Sequence, residues 1–452
     1  MSSIVTSPNS QQELRRNIQL QAVDDHLNDD EIHNICRGLG HHWRERTFTP
    51  AATLRSCVHR ALNGDHSIAA MLADLAAGDW PDEPIPTDSA WCQARCRLPL
   101  EVFQELIARR ARDCQQRFGK LFQWHGRPVF IVDGSTVSMP DEPELVEEFG
   151  YANTKHGPSR FPVGRVTFIE LMGLECIWDY RLDDYRTSED AQFIDMWPSL
   201  PDGCIVLVDK KFGSFYMLAK LRHRDIGMIT LLHEGRNPHK LIRKGVQLGP
   251  SEWIVYLDLA PQLRKKYDDP SLPELLPVRL IRVRFRRGRR RHTLWIVTTL
   301  MDTMLFPRRL MAAGYRRRWD IEPRIGSLKT TLEMCVLRSK KVESVRREVA
   351  SMVLGHNLAW LLIHEAARTH DVPSQDISFA CAVKTAVSFS RTLPLVDPLQ
   401  QPAMRAKMLR LIASQRNHHP FNRVEPRKVK RDRRRYPYLK EPRAVARERC
   451  LT

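Results

Sequence analysis

The chain has 452 residues, with 71 Lys and Arg against 53 Asp and Glu and a formal net charge of +18. The length allows two or three domains with a sizeable core, and the cationic excess favours a polyanionic partner. No segment has the ~18 consecutive apolar residues of a membrane span, and no basic-then-apolar leader opens the chain. A cytoplasmic protein with no membrane partner is therefore expected. The ten cysteines are scattered, and Cys92 and Cys96 form a lone C-x3-C pair, which reads as reduced thiols and not as a zinc site.

Residues 1–25 are polar and are expected to be mobile. From 26 to 116 the pattern is helical and short-segmented. Thr49-Pro50 starts one helix, with proline at a favourable first-turn position, and Ser89 is expected to cap another. Arg95, Arg97, Arg109, Arg110 and Arg112 make this small domain a candidate for DNA contact, a purely structural helical cap being the alternative.

Residues 117–225 mix strands and helices. Val129-Phe130-Ile131-Val132-Asp133 and Cys204-Ile205-Val206-Leu207-Val208-Asp209 are short apolar runs that end in aspartate. Each reads as a buried strand delivering a carboxylate at its C-terminal end, although a single such Asp also serves to cap a turn. The segment from Val163 to Asp179 predicts two paired strands around Gly173. Ser188-Glu189-Asp190 opens a helix, and a second helix runs from Ser214 to Arg222.

Residues 226–305 read as β-rich, with strand-like runs at 228–232, 253–257, 280–285 and 293–300. In Ile281-Arg282-Val283-Arg284-Phe285-Arg286 alternation places Arg282, Arg284 and Arg286 on one strand face. Arg287-Gly288-Arg289-Arg290-Arg291 follows as a basic turn. Seven arginines in ten residues exceed what an edge needs against aggregation, which favours phosphate contact. Trp253 and Trp295 are expected in the core, with base stacking as the alternative. Residues 306–395 carry a charged helix and then the apolar stretch from Val342 to Ala367, and 396–452 end in a Lys/Arg-rich tail suited to DNA.

Within the charged helix, Tyr315, Arg318, Glu322 and Lys329 follow the spacing Tyr-x2-Arg-x3-Glu-x6-Lys. At roughly 100° per residue they fall within an arc of about 60°. One helix face would then present a carboxylate, a phenol and two cations, which suits a metal ion that must meet a phosphate. An ordinary charged surface helix is the alternative.

Asp133, Asp209 and Glu322 in this order, with that spacing, resemble a DDE-type bacterial insertion-sequence transposase of the insertion-sequence-four group, which carries a Tyr-Arg-Glu-Lys signature. Asp133-Gly134-Ser135-Thr136 is similar to the first-aspartate motif of the family. Asp209-Lys210-Lys211-Phe212 is similar to the second, with Lys211 where the family has glycine. The resemblance implies an α/β ribonuclease-H-like catalytic core interrupted by a β-rich insertion, an N-terminal helical domain that binds the terminal repeats, and a basic C-terminal tail. The larger gap between the second carboxylate and the third, 113 residues against 76, matches the place of that insertion.

The resemblance also implies a chemistry. Cleavage and strand transfer are in-line displacements at phosphorus, which two divalent ions, Mg2+ or Mn2+, can promote from opposite sides. Such ions prefer carboxylate oxygens. Asp133, Asp209 and Glu322 are the expected catalytic residues and metal ligands, with Asp133 bridging. Tyr315, Arg318 and Lys329 are expected on phosphates, with Lys210, Arg284 and Arg286 as further DNA contacts. Terminal inverted repeats and target DNA are the expected partners, handled by a homodimer in the nucleoid. A nuclease without strand transfer and a transposase-derived DNA-binding protein are the competing readings. Pro323, directly after Glu322, is expected to bend the helix between Glu322 and Lys329.

Overall fold

A computed structural model describes residues 26–64, 67–76, 87–154, 157–287, 290–393 and 396–417, with Val445, Glu448 and Arg449. The polar stretch 1–25, most of the basic tail and Gly288-Arg289 of the arginine run lie outside the described residues.

Among the described residues the first helices are α1 (Asp29–Gly38), α2 (Pro50–Leu62), α3 (Ile68–Ala76), α4 (Asp88–Arg97) and α5 (Leu100–Phe118). Thr49 caps α2 by accepting a hydrogen bond from the Ala52 amide, with Pro50 in the first turn. The cap of α4 is Thr87, whose Oγ1 accepts from the Ala90 amide, and not Ser89. This start places Asp88 in the first turn, where the positive end of the helix dipole favours it.

The strands that follow are β1 (Val129–Ser138), β2 (Tyr151–Thr154), β3 (Gly157–Leu171), β4 (Ile177–Asp184), β5 (Ile205–Val208), β6 (Gly227–Leu231), β7 (Val246–Gly249), β8 (Glu252–Asp258), β9 (Leu275–Arg287) and β10 (Arg290–Thr298). Among the described residues they form one mixed sheet in the order β2-β3-β1-β5-β6-β10-β9-β8-β7, with β4 paired to β3. The β1–β5 and β5–β6 pairs are parallel, and the others are antiparallel. β1 runs on through Asp133 to Ser138, past the end expected for it, because antiparallel pairing with β3 continues along Gly134 to Ser138. Gly173 sits at φ +86° in the β3–β4 connection, as a turn there demands.

The strand-rich stretch after residue 226 adds to this sheet and does not stand apart from it. β6 pairs parallel with β5, and β10 joins β6 by an antiparallel register that sets Ile296 opposite Leu231. Two short helices, Pro238–Arg243 and Pro261–Tyr267, interrupt the strands.

Beyond the sheet lie α6 (Arg308–Arg317), α7 (Ile321–Thr330), α8 (Val342–Thr369), α9 (Phe379–Thr392) and α10 (Gln401–Ser414). α8 is buried on nearly every side, wider than the single apolar stripe expected of it, because α2, α4 and α5 cover part of it and α9, α10 and β4 the rest. A helix so enclosed is the centre of a core and not its lid. Among the described residues no helix is long and apolar enough to cross a membrane.

Candidate active site

The parallel register sets Val132 of β1 beside Val208 of β5. Asp133 is the next residue on β1 and Asp209 directly follows β5, so the two stand side by side at one end of the pair. Partners across a ladder share a sheet face, and residues two apart along a strand return to it. Ile131 pairs with Leu207 and Glu170, and Asp133 with Phe168, so Asp133, Asp209 and Glu170 belong to one face. α7 packs against β1 and carries Glu322 in its first turn.

Arg318 gathers the three carboxylates. Its Nη1 lies 4.0 Å from Asp133 Oδ2, and its Nη2 lies 4.0 Å from Asp209 Oδ1 and 3.7 Å from Glu322 Oε1. The guanidinium is almost wholly buried, whereas the Glu322 side chain is 57% exposed. These separations exceed a hydrogen bond, so the cation balances the acids without locking any of them.

Burial raises the Asp133 carboxyl above its ordinary value. The Gly134 amide, which donates to Oδ1 at 2.9 Å, and Arg318 pull it down, while Glu189 and Glu322 add to the rise. Tyr315 is buried at 1% exposure. Burial pushes its phenol up to about 12 despite the nearby Arg318 charge, so it stays a neutral donor at physiological pH.

The helix expected to carry the four signature residues is broken before Glu322, not after it. α6 ends at Arg317, residues Arg318–Asp320 form a 3-10 turn, and α7 begins at Ile321. Pro323 explains the position of the break. Proline has no amide to donate four residues back, and it fits in the first turn of a new helix, where that amide has no partner anyway. Lys329 keeps its place two turns beyond Glu322 and is half-buried. Tyr315 points into the core, so the four residues do not share one solvent face.

The other cations expected on DNA are differently placed. Lys210, next to Asp209, forms an ion pair with Glu234. Arg284 is exposed on β9, opposite Thr293, and Arg286 pairs with Arg291 across the hairpin. That strand is three places from β5 in the sheet, roughly 14 Å at the usual strand spacing. Arg282 is turned over Trp253 and Trp295, 5.5 and 5.8 Å from the ring centres, which places both indoles in packing.

In the N-terminal helices, Arg109 and Arg110 pair with Glu31, and Arg112 with Glu105. Arg95 lies over Trp91. These four are taken up by the fold. Arg97 is exposed and lines a groove with His41, Trp43, Arg44 and Arg46.

Two groups near the site are not singled out by the sequence. Glu189, which reads there only as a helix start, packs directly over Gly134, where an added Cβ would fall 2.5 Å from its carboxyl carbon. Arg324 reaches from α7 to buried Glu170 and Glu175. The glycine after Asp133 is the one signal for the first. The second has none, because its partners lie about 150 residues away.

Among the described residues, no three His, Cys, Asp or Glu side chains already stand at ion-holding spacing. The donor set nevertheless suits a hard divalent ion: three carboxylates converge on one positive charge, and the most exposed of them begins a helix.

Residues 124–358 match the family model described as "Transposase DDE domain", a span that contains all of Asp133, Asp209, Tyr315, Arg318, Glu322 and Lys329. The chain is 27% identical over 382 residues to the transposase InsG for insertion sequence element IS4 of Escherichia coli strain K12, covering 82% of each protein. Among solved structures, it is similar to the piggyBac transposase in a synaptic complex with hairpin DNA, with a TM-score of 0.42, 9% identity, and coverage of 89% of this chain and 85% of that one.

Proposed function

Because this chain belongs to the transposase DDE domain family, whose members are metal-dependent DNA-cleaving enzymes, we propose that it cuts the terminal inverted repeats of an insertion sequence and joins them to target DNA, using Asp133, Asp209 and Glu322. The observation that carries this reading is the convergence of those three carboxylates on Arg318 at 3.7–4.0 Å. The order of β3, β1, β5 and β6, antiparallel and then parallel, supports a ribonuclease-H-like core.

In this reading Asp133 at the β1 ladder, Asp209 just past β5 and Glu322 on α7 would hold the divalent ions. Such ions lower the pKa of an attacking hydroxyl and stabilise the leaving oxygen. The chain itself orients and compensates. Burial holds the Asp133 carboxyl above its ordinary value, and a cation bound there would favour its ionised form. Arg318, which lies beyond hydrogen-bond range of all three acids, would meet a phosphate beside the scissile bond. Tyr315 remains a neutral hydrogen-bond donor at the floor of the site, and Lys329 meets the backbone two turns along α7. No side chain need form a covalent intermediate, so one site serves water first and a DNA 3′ hydroxyl second. Cutting and joining two ends calls for two copies of the chain in the active assembly.

The test is a cleavage and strand-transfer assay with Mg2+ or Mn2+, on DNA that carries the sequences flanking the gene. Asp133→Ala, Asp209→Ala and Glu322→Ala are each expected to abolish cleavage while end binding persists. Cleavage without joining by the wild type would make the protein a nuclease. Binding with no cleavage under any metal would reduce it to a DNA-binding derivative.

A further inference from the structure

Glu322 sits on a helix of only ten residues, of which three, Ile321, Ile325 and Leu328, are buried. A 3-10 turn precedes this helix and an irregular segment follows it. The three buried residues fall at i, i+4 and i+7, one narrow apolar stripe, and Arg324 adds a polar tie beside it. It lies two residues past Glu322, roughly 200° around the helix, and so points into the protein where Glu322 points out. Its Nη1 is 3.4 Å from Glu170 Oε1, and its Nε is paired with Glu175 Oε2. The two carboxylates are 0% and 2% exposed.

Glu170 is tied to the strand that carries Asp133, and Glu175 to the turn that follows β3. Glu170 faces Ile131 across the β1–β3 ladder, two residues before Asp133 on the same sheet face. Glu175 stands at φ +63° in the turn after β3, a conformation that non-glycine residues adopt only under constraint. That turn is held from α8. His356 Nε2 donates to the Glu175 carbonyl at 2.9 Å and His364 Nε2 to the Leu174 carbonyl at 2.8 Å, and Asn357 bonds both the amide and the carbonyl of Ile177. Burying two carboxylates against one guanidinium is a poor way to gain stability, but it fixes direction well.

We propose that Arg324, clamped by Glu170 and Glu175, is a positioning residue that sets the rotation of α7 and so holds Glu322 over Asp133 and Asp209. This rests on the assignment of Glu322 to the catalytic set. The clamp acts through Glu322 and touches neither DNA nor metal.

The experiment uses the full chain and two readouts: Mn2+ binding by titration in the absence of DNA, and cleavage as a function of Mn2+ concentration. Arg324→Met is expected to weaken Mn2+ binding about 10- to 100-fold, as loss of groups that orient a ligand commonly does, and to raise the metal midpoint of cleavage in parallel. Arg324→Lys, which reaches one carboxylate but cannot fork to two, is expected to fall between. Because Arg324→Met leaves buried acids uncompensated and can unfold the chain, Arg324→Met/Glu170→Gln/Glu175→Gln is made beside it. That variant is expected to fold, by circular dichroism, and still to show the shifted midpoint. Folded variants with the wild-type Mn2+ affinity and midpoint, altered only in melting temperature, would overturn the clamp. Glu322→Ala separates the two levels: if it still cleaves, the catalytic assignment fails, and if it is inactive while Arg324→Met titrates like wild type, only the clamp fails.

Discussion

Arg318 is the residue on which the site turns. It is one cation among three acids, buried to 7% side-chain exposure and 3.7–4.0 Å from each. Without metal it is the compensation that lets three carboxylates share one end of a sheet, since like charges at such range otherwise oppose ionisation. Arg318→Ala should therefore melt below wild type in the absence of metal and gain more from Mg2+, because no resident cation competes. Thermal unfolding with and without Mg2+ measures this, and an equal metal-induced shift in both proteins would refute it. Cleavage by the variant should still be poor on the proposal that Arg318 meets a phosphate at the scissile bond. Glu189 belongs to the same scale. Its carboxyl fills the space over Gly134, so a side chain at that position would have to displace the flexible end of Glu189.

Among the elements, α8 does most to hold the site's scaffold together. Its two buried histidines each donate from Nε2 to a carbonyl of the β3–β4 turn, which fixes the Nε2-protonated tautomer of the uncharged ring. Burial, with Arg324 nearby, lowers His356 to about 3, and burial lowers His364 to about 4. Unfolded histidine titrates near 6.5, so the unfolded chain takes up two protons that the folded one refuses. The stability these groups contribute is fully present above about pH 6.5 and is lost as pH falls from there toward the folded values. Melting temperature should thus drop from about pH 7 to about pH 5, and His356→Gln/His364→Gln, whose amides can still donate, should flatten that part of the slope. An unchanged slope in the double variant would assign the acid sensitivity to other groups. α7 depends on this scaffold through the turn that α8 holds and the arginine that reaches it.

At the scale of the whole molecule, the net charge of +18 belongs to the full chain, and part of it lies in the basic tail outside the described residues. Several cations that look available in sequence are neutralised by packing: Arg109 and Arg110 pair with Glu31, and Lys210 pairs with Glu234. DNA affinity should nonetheless fall steeply with salt, by about 10³ to 10⁵ between roughly 50 and 200 mM if six to ten phosphates are bound. Fluorescence anisotropy against salt concentration gives the slope, and a flat line would remove electrostatics from end binding. Truncation before Arg423 should make that slope shallower, by about one for each phosphate that the tail neutralises.

The acids and their order were legible in the chain because strands and carboxylates are local signals: an apolar run closed by Asp133, another by Asp209, and Glu322 at helical spacing from Tyr315 and Arg318. The helix starts at Thr49, Ser188 and Ser214 were equally local. What required the tertiary structure was everything set by distant partners. The helix break fell before Glu322 because Pro323 found its place in a first turn. β6 and β10 joined the strand-rich segment to the main sheet, since an unpaired β6 edge would have left its backbone groups unsatisfied. Arg318 stood among the acids, and Arg324 met Glu170 and Glu175, only once the sheet had brought residues about 150 apart onto one face. Sequence determines which groups are present and how they are spaced along an element. Which charge meets which depends on register and packing, and these are properties of the folded chain.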